Sequence, residues 1–200
     1  MHRQLGWILS LVLLLASLPS VVRAEDAPPG LSGGSLAYTS ASFSGETLND
    51  QAGKAVAGVG DVNGDGFQDF VIGAPGYSSG RGRVYLYLGG PSGWSINHGL
   101  SGADAIYTGE APGYGAGRSL AGAGDVNGDG FDDIIIGAPN VSRVYLLLGS
   151  AAPTSANLSA ADGIYSGESG ERAGTSVAGA GDINGDGFAD VLVGADEHNS

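Results

Sequence analysis

Polar and apolar positions along the chain fall into short alternating or apolar runs, never into a sustained 3.6-residue period. Arg83–Leu88 (Arg-Val-Tyr-Leu-Tyr-Leu) and Arg143–Leu148 are rich in β-branched and aromatic residues and predict strands. Phe70–Ile72, Ile134–Ile136 and Val191–Val193 predict short apolar strands, each directly after an acidic stretch. Lys54–Gly60, Arg118–Gly124 and Thr175–Gly181 predict strands of small residues that run into those stretches. Ala105–Thr108 and Gly163–Ser166 add a fourth, weaker strand, with Ser35–Phe43 as its N-terminal equivalent. The segments repeat as a set. Ala-Gly-x-x-apolar-Ala-Gly-x-Gly-Asp-x-Asn-Gly-Asp-Gly-Phe-x-Asp describes the stretches beginning at Ala52, Ala116 and Ala173. The first aspartates of the copies are 64 and then 57 residues apart, and the difference lies in the connections. Four strands per unit of about 60 residues is the blade of a β-propeller, and parallel strands would need helical crossovers that the pattern lacks.

Composition agrees with an all-β, turn-rich protein. Glycine makes up 38 of 200 residues without a G-X-Y period, which excludes collagen and disfavours long helices. Residues 1–24 read as a secretory signal, with His2 and Arg3 at the start, an apolar run Leu5–Leu18 and a Val22-Arg23-Ala24 cleavage site. That run is shorter than the ~20 residues a spanning helix needs, and no later stretch is apolar enough. Residues 25–34 are a linker and 35–200 the repeat region. The mature chain is expected outside the cytoplasm: secreted, at the cell surface, or in a periplasm. Without cysteine it has no disulfide, so packing or metal must hold it. The formal charge of −13 becomes −15 once Arg3 and Arg23 are removed, and a single lysine leaves no basic footprint for nucleic acid.

The acid is grouped, and the grouping suggests chemistry. Loops 61–69, 125–133 and 182–190 each place side-chain oxygens at positions 1, 3, 5 and 9, with glycine at 6 where the chain must turn sharply. Position 7 can turn its backbone carbonyl inward. Ca²⁺ accepts 6–8 oxygens in flexible geometry, whereas Mg²⁺ demands an octahedron and zinc prefers His or Cys, absent here. A solvated Asp/Asn/Gly turn is the plain reading of one copy, but it does not account for three copies at one place in three repeats. An EF-hand would need glutamate at position 12 between helices; Ile72, Ile136 and Val193 stand there instead, inside apolar strands.

Gly-Asp-Val-Asn-Gly-Asp-Gly-Phe-x-Asp followed by Gly73-Ala74-Pro75 or Gly137-Ala138-Pro139 resembles the FG-GAP repeat of integrin α-chain β-propellers and of related bacterial exported proteins. The resemblance spans about residues 35–200. It implies one four-stranded antiparallel blade per repeat, about three repeats with the last incomplete, and about three Ca²⁺, one per repeat. The ligand positions it implies are Asp61, Asn63, Asp65, the Phe67 carbonyl and Asp69; Asp125, Asn127, Asp129, the Phe131 carbonyl and Asp133; Asp182, Asn184, Asp186, the Phe188 carbonyl and Asp190. The naming Phe-Gly pair is Ala52-Gly53, Ala116-Gly117 and Ala173-Gly174 here, and the third copy ends Gly194-Ala195-Asp196 without proline.

A role in adhesion or recognition of an extracellular protein or glycan follows from the resemblance, with no enzymatic activity in this chain. Three units do not close a ring of about 4–8 blades, so the expectation is a fragment of a longer chain, in preference to an arc completed by other copies. The rival reading is the propeller part of a larger secreted hydrolase, phospholipase-like or other. Gly76-Tyr77-Ser78-Ser79-Gly80 fits G-x-S-x-G, but it lies in a turn between two predicted strands, not at a strand-to-helix elbow. His98 and His198 are expected in polar turns, Arg81, Arg83 and Arg143 at solvated strand ends, and Tyr85, Tyr87 and Tyr145 in blade packing. Asn140-Val141-Ser142 and Asn157-Leu158-Ser159 are glycosylation sequons for a host that uses them, and Arg-Gly-Asp is absent.

Overall fold

A computed structural model describes residues 41–91 and 98–197, together with the backbone of 12–15. The expected signal and linker lie outside the described residues except for strand β1 (Val12–Leu15), and His198 lies outside them altogether. Thirteen further strands follow: β2 (Ala41–Ser44), β3 (Ala55–Gly60), β4 (Asp69–Ala74), β5 (Arg83–Tyr87), β6 (His98–Gly99), β7 (Ala105–Thr108), β8 (Ser119–Gly124), β9 (Asp133–Ala138), β10 (Arg143–Leu147), β11 (Ala156–Asn157), β12 (Gly163–Ser166), β13 (Ser176–Gly181) and β14 (Asp190–Gly194).

They form antiparallel units as the repeat predicts. β3, β4, β5 and β7 make one four-stranded sheet, β8, β9, β10 and β12 a second, and β13 with β14 a two-stranded third. Both complete sheets have the strand order expected of propeller blades. β2 stands before the first unit in the place that β7 and β12 hold in theirs. The apolar strands extend further than their apolar cores suggested, to Asp69–Ala74, Asp133–Ala138 and Asp190–Gly194. Their leading aspartates are drawn into the ladder because they pair with the bulged ends of β3, β8 and β13.

Each bulge has the same cause. Register shifts between Gly58 and Gly60, between Gly122 and Gly124, and between Gly179 and Gly181. The second glycine of each pair has φ of +83°, +74° or +67°, which only glycine adopts without strain. The extra residue, Val59 or Ala123, is thereby turned into the core. β3, β8 and β13 pack side by side, so their alanines and glycines allow close approach: a β-carbon on Gly122 would fall 2.9 Å from Val59 Cα.

Two features were not foreseen. The connections after β5 and β10 each add a two-residue strand to the unit before, β6 parallel to β2 and β11 parallel to β7. A 3-10 turn follows each and buries Leu100 or Leu158. His98 therefore does not lie in a polar turn: it sits in β6 with its ring stacked on Phe43 at 5.4 Å. Also, β1 pairs in parallel with β2, Val12 opposite Ala41.

The core lies between successive units. One cluster joins Phe43, Ala52, Ile72, Tyr85, Tyr87 and Leu100. Its larger counterpart includes Tyr107, Ala116, Ile136, Tyr145, Leu147 and Leu158, the same positions one unit on. Ala52 and Ala116, which replace the family phenylalanine, are buried in these clusters, and the aromatic bulk is carried by Tyr85, Tyr87 and Tyr145.

Candidate metal centre

β3–β4, β8–β9 and β13–β14 are joined at one end of the sheets by the three acidic loops, which share one internal geometry. In the first, Asp61 Oδ1 accepts from the Asp65 amide at 3.0 Å and Oδ2 from Gly66 at 2.7 Å. Asn63 Oδ1 accepts from Asp65 at 3.2 Å and Asp65 Oδ1 from Phe67 at 2.9 Å. Asp69 Oδ2 accepts from Val62 at 2.9 Å. The second loop repeats this with Asp125, Asn127, Asp129 and Asp133, and the third with Asp182, Asn184, Asp186 and Asp190. Gly66, Gly130 and Gly187 have φ of +87°, +90° and +93°, the sharp turn expected at position 6.

Position 9 differs from the rest because it begins a central strand. Asp69 and Asp133 are buried, and their Oδ1 atoms accept from Gly89 at 2.6 Å and Gly149 at 2.8 Å, amides beyond the third strand of the unit. Asp190 is less buried and meets Asn184 Nδ2 at 3.5 Å. Burial pushes the Asp69 and Asp133 carboxyls above the ordinary 3.8; their backbone donors oppose this, and the charges at positions 5 and 1 reinforce it. The opposite holds at Asp125 and Asp182. The amide of Gly130 or Gly187, with others of the loop, holds those carboxyls below the usual value.

The chemistry of the donor set suits a hard cation: four side chains bearing oxygen and no nitrogen or sulphur ligand per loop. Among the described residues no three acidic or histidine side chains converge as a metal cluster. Their oxygens instead cap the loop's own amides, and the asparagine Nδ2 reaches Asp65 Oδ2 at 2.9 Å or Asp129 Oδ2 at 2.8 Å.

The loops also touch one another, which the spacing did not disclose. The Asp61 amide donates to Asp132 Oδ2 at 2.8 Å, and the Asp132 amide returns a bond to the Asp61 carbonyl at 3.1 Å. Ala189, in the same position one unit on, donates to the Asp125 carbonyl at 3.0 Å. The Phe131 ring lies over Gly64 and the Phe188 ring over Gly128, where a β-carbon would come within 2.8 Å of either. Position 7 thus places its side chain on the preceding loop.

At the other end of the sheets, Arg83 and Arg143 are not merely solvated. Arg83 Nη1 bonds Glu46 Oε1 at 3.0 Å, the Tyr85 hydroxyl donates to the same oxygen at 2.7 Å, and the guanidinium lies 3.7 Å from the Tyr77 ring centre. Arg143, Tyr145 and Glu110 repeat the arrangement. The signal was present in the sequence as Gly-Glu at 45–46, 109–110 and 167–168, but its partners are more than 30 residues away. Arg81 reaches the Glu110 carbonyl at 2.8 Å. Gly76–Gly80 links β4 to β5, with Ser78 and Ser79 both left-handed, so no nucleophile elbow is formed. Thr47, Leu48, Asn49 and Gly76–Ser79 line a cleft of about 480 Å³ at this end.

Comparison with known proteins agrees with the repeat. The FG-GAP repeat model matches residues 52–87, 116–147 and 173–199. The chain is 35% identical over 170 residues to integrin alpha-5 of Xenopus laevis, covering 76% of this chain and 15% of that one. It is 34% identical over 164 residues to human integrin alpha-7 (76% and 13%) and 38% identical over 102 residues to integrin alpha-PS5 of Drosophila melanogaster (47% and 9%). The chain thus spans less than a sixth of the length of these relatives. Three units of common geometry, matched one by one, make this chain an FG-GAP repeat protein similar to integrin α chains.

Proposed function

We propose that this is an exported, calcium-stabilised propeller segment that serves adhesion or recognition of an extracellular protein or glycan. The observation that carries the reading is the placement of three carboxylates and an asparagine in each of three equivalent loops, where burial first, and the neighbouring like charges after it, raise the carboxyls at Asp69 and Asp133. A divalent cation relieves that repulsion and, by binding the folded state alone, stabilises it. Asp61, Asn63, Asp65, the Phe67 carbonyl and Asp69 would hold the first ion. Asp125, Asn127, Asp129, the Phe131 carbonyl and Asp133 would hold the second, and Asp182, Asn184, Asp186, the Phe188 carbonyl and Asp190 the third.

The role of the ion is structural. It pins the connection between the first two strands of a unit, and through the contacts of Asp132, Phe131 and Phe188 it also steadies the neighbouring loop. The opposite end of the sheets is then free to present turns, including the cleft beside Tyr77, to a partner. Export follows from the segment 1–24, and integrin-like extracellular placement supports it. Isothermal titration with Ca²⁺ tests the ligand assignment: the chain should bind about three ions, and Asp129→Ala should lose one and lower the calcium-dependent rise in melting temperature. Unchanged stoichiometry in that variant would refute the assignment.

A further inference from the structure

Each acidic loop holds an asparagine followed at once by glycine: Asn63-Gly64, Asn127-Gly128 and Asn184-Gly185. At such a step a chain can modify itself. Attack of the glycine nitrogen on the asparagine Cγ closes a five-membered ring, and glycine has no side chain to hinder the approach. The first two loops permit a strict comparison, because residues 60–67 and 124–131 have one sequence, Gly-Asp-Val-Asn-Gly-Asp-Gly-Phe. Any difference in reactivity between them is a property of the fold.

The electrophile is alike in both. Asn63 Oδ1 accepts from the Asp65 amide at 3.2 Å and Asn127 Oδ1 from the Asp129 amide at 3.0 Å, and a donor on that oxygen favours attack at Cγ. Asn63 Nδ2 donates to Asp65 Oδ2 at 2.9 Å and Asn127 Nδ2 to Asp129 Oδ2 at 2.8 Å. The two glycines match as well: both are exposed, with φ of +73° and +76°, and each lies beneath the phenylalanine ring of the next loop. The nucleophile is different. The Gly128 amide donates to Asp125 Oδ1 at 2.6 Å, as the Gly185 amide does to Asp182 Oδ1 at 2.6 Å. In the first loop Asp61 Oδ1 takes the Asp65 amide at 3.0 Å, and the Gly64 amide has no acceptor among the described residues. An amide bound to a carboxylate must break that bond before it can turn to Cγ, and the adjacent negative charge opposes loss of its proton.

We propose that Asn63-Gly64 is a self-modification site, at which Asn63 is converted to aspartate or isoaspartate through a cyclic imide, and that Asp125 protects Asn127 by holding the Gly128 amide. In the first step the Gly64 nitrogen gives its proton to solvent base and bonds to Asn63 Cγ. The Cγ–Nδ2 bond breaks, and Nδ2 leaves as ammonia with a proton from solvent. Water then opens the imide: cleavage at Cγ leaves aspartate, and cleavage at the main-chain carbonyl leaves isoaspartate. The sum is asparagine plus water giving either acid plus ammonia, with no oxidant and no cofactor. Either product adds one negative charge to the first loop. Isoaspartate also lengthens the backbone by a methylene just ahead of Asp65, whose amide bonds both Asp61 and Asn63. The turn is thereby altered where the second unit is fastened, since the Asp61 amide meets Asp132. On the ligand assignment proposed above it also changes one donor to the first ion, but the reaction needs no metal and is tested without any.

The full chain is kept folded in EDTA at neutral pH and sampled over time. Trypsin cuts after Lys54, Arg81, Arg118, Arg143 and Arg172, so each Asn-Gly step falls in its own peptide. Mass spectrometry reads the exchange of amide for carboxyl, and labelling by an isoaspartyl methyltransferase reads the isomer. Conversion at Asn63 should run about tenfold or more ahead of Asn127, the ratio that one hydrogen bond to a charged group supports. In urea the two sites should react equally, and a free peptide of residues 60–67 gives their common intrinsic rate. Asp125→Ala should raise the rate at Asn127 towards that at Asn63; a folded variant in which it does not would overturn the protective role. Should that variant fail to fold, the comparison within the parent chain still decides. Equal rates in the folded chain, faster reaction at Asn127, a difference that survives in urea, or an intact Asn63 after the free peptide has been consumed would each overturn the proposal.

Discussion

Glu110→Ala is the most informative single change in the described fold. Glu110 Oε1 receives both the Tyr145 hydroxyl at 2.9 Å and an Arg143 nitrogen. Tyr145 is fully buried, so truncation leaves a hydroxyl without its acceptor, a loss of about 1–3 kcal/mol. The Arg143 and Glu110 side chains are 31% and 22% exposed, so the ion pair itself adds only about 0.2–1 kcal/mol after solvent screening. The sum, roughly 1–4 kcal/mol, corresponds to a fall in melting temperature of about 2–16 °C for a domain of this size. Urea denaturation and calorimetry would measure it, and Glu168→Ala serves as the control, since its side chain has no partner among the described residues and should cost under about 0.5 kcal/mol. In a cycle with Tyr145→Phe the two losses should be strongly non-additive. Equal costs at Glu110 and Glu168, or additivity in the cycle, would refute the claim that this carboxylate joins successive units.

The remaining expectations concern the acidic end. Asp69 and Asp133 have folded carboxyl pKa values above their unfolded value near 3.8, so in metal-free protein their contribution to stability is present below that value and is lost as pH rises through the folded pKa. Carbon-detected titration of Asp133 in EDTA should therefore give a value above 3.8, and Ca²⁺ should lower it; a metal-free value at or below 3.8 would contradict the burial. Asp132→Ala removes the acceptor of the Asp61 amide and should cost about 1 kcal/mol in chemical denaturation, with faster hydrogen exchange at Asp61. Gly60→Ala forces a side chain into φ +83° and against the Asp132 carboxylate. A loss of at least about 1–2 kcal/mol is expected, and a neutral result would show that the bulge is not held as described.

What the sequence disclosed and what it hid divide along a physical line. Strand positions, the acidic loops and the turn at Gly66 follow from residues adjacent in sequence: alternation, β-branched runs, and glycine where φ is positive. Ala105–Thr108 and Gly163–Ser166 are strands over the very residues expected. The interactions between units were not legible, because each joins residues tens of positions apart. Glu110 gives no local sign that it will meet Arg143, and Phe131 gives none that its ring will lie over Gly64. His98 was misread for the same reason: a two-residue strand has no periodicity of its own and exists only because β2 offers an edge. At the candidate centre the oxygen donors could be named from spacing, but the burial that separates Asp69 and Asp133 from Asp125 depends on Gly89 and Gly149 closing over them.

The two ends of each sheet thus solve one problem with different means. Successive units must be held in a fixed relation, and every shared cluster of side chains lies between units, so no unit buries its faces alone. At one end, an arginine and a tyrosine from the next unit fasten to a glutamate. At the other, position 8 of one loop grips position 1 of the loop before it, while the phenylalanine at position 7 covers that loop's glycine. The second linkage is carried by the same nine residues that carry the carboxylates. A cation that stiffens one loop therefore acts on the contact between units as well as on a single turn, and removing it should loosen the acidic end while the Glu110–Arg143–Tyr145 cluster persists. Hydrogen exchange in EDTA would show this as faster exchange at Asp61, Asp132 and Ala189 with protection retained in β10; uniform loss of protection at both ends would mean that the two fastenings are not separable.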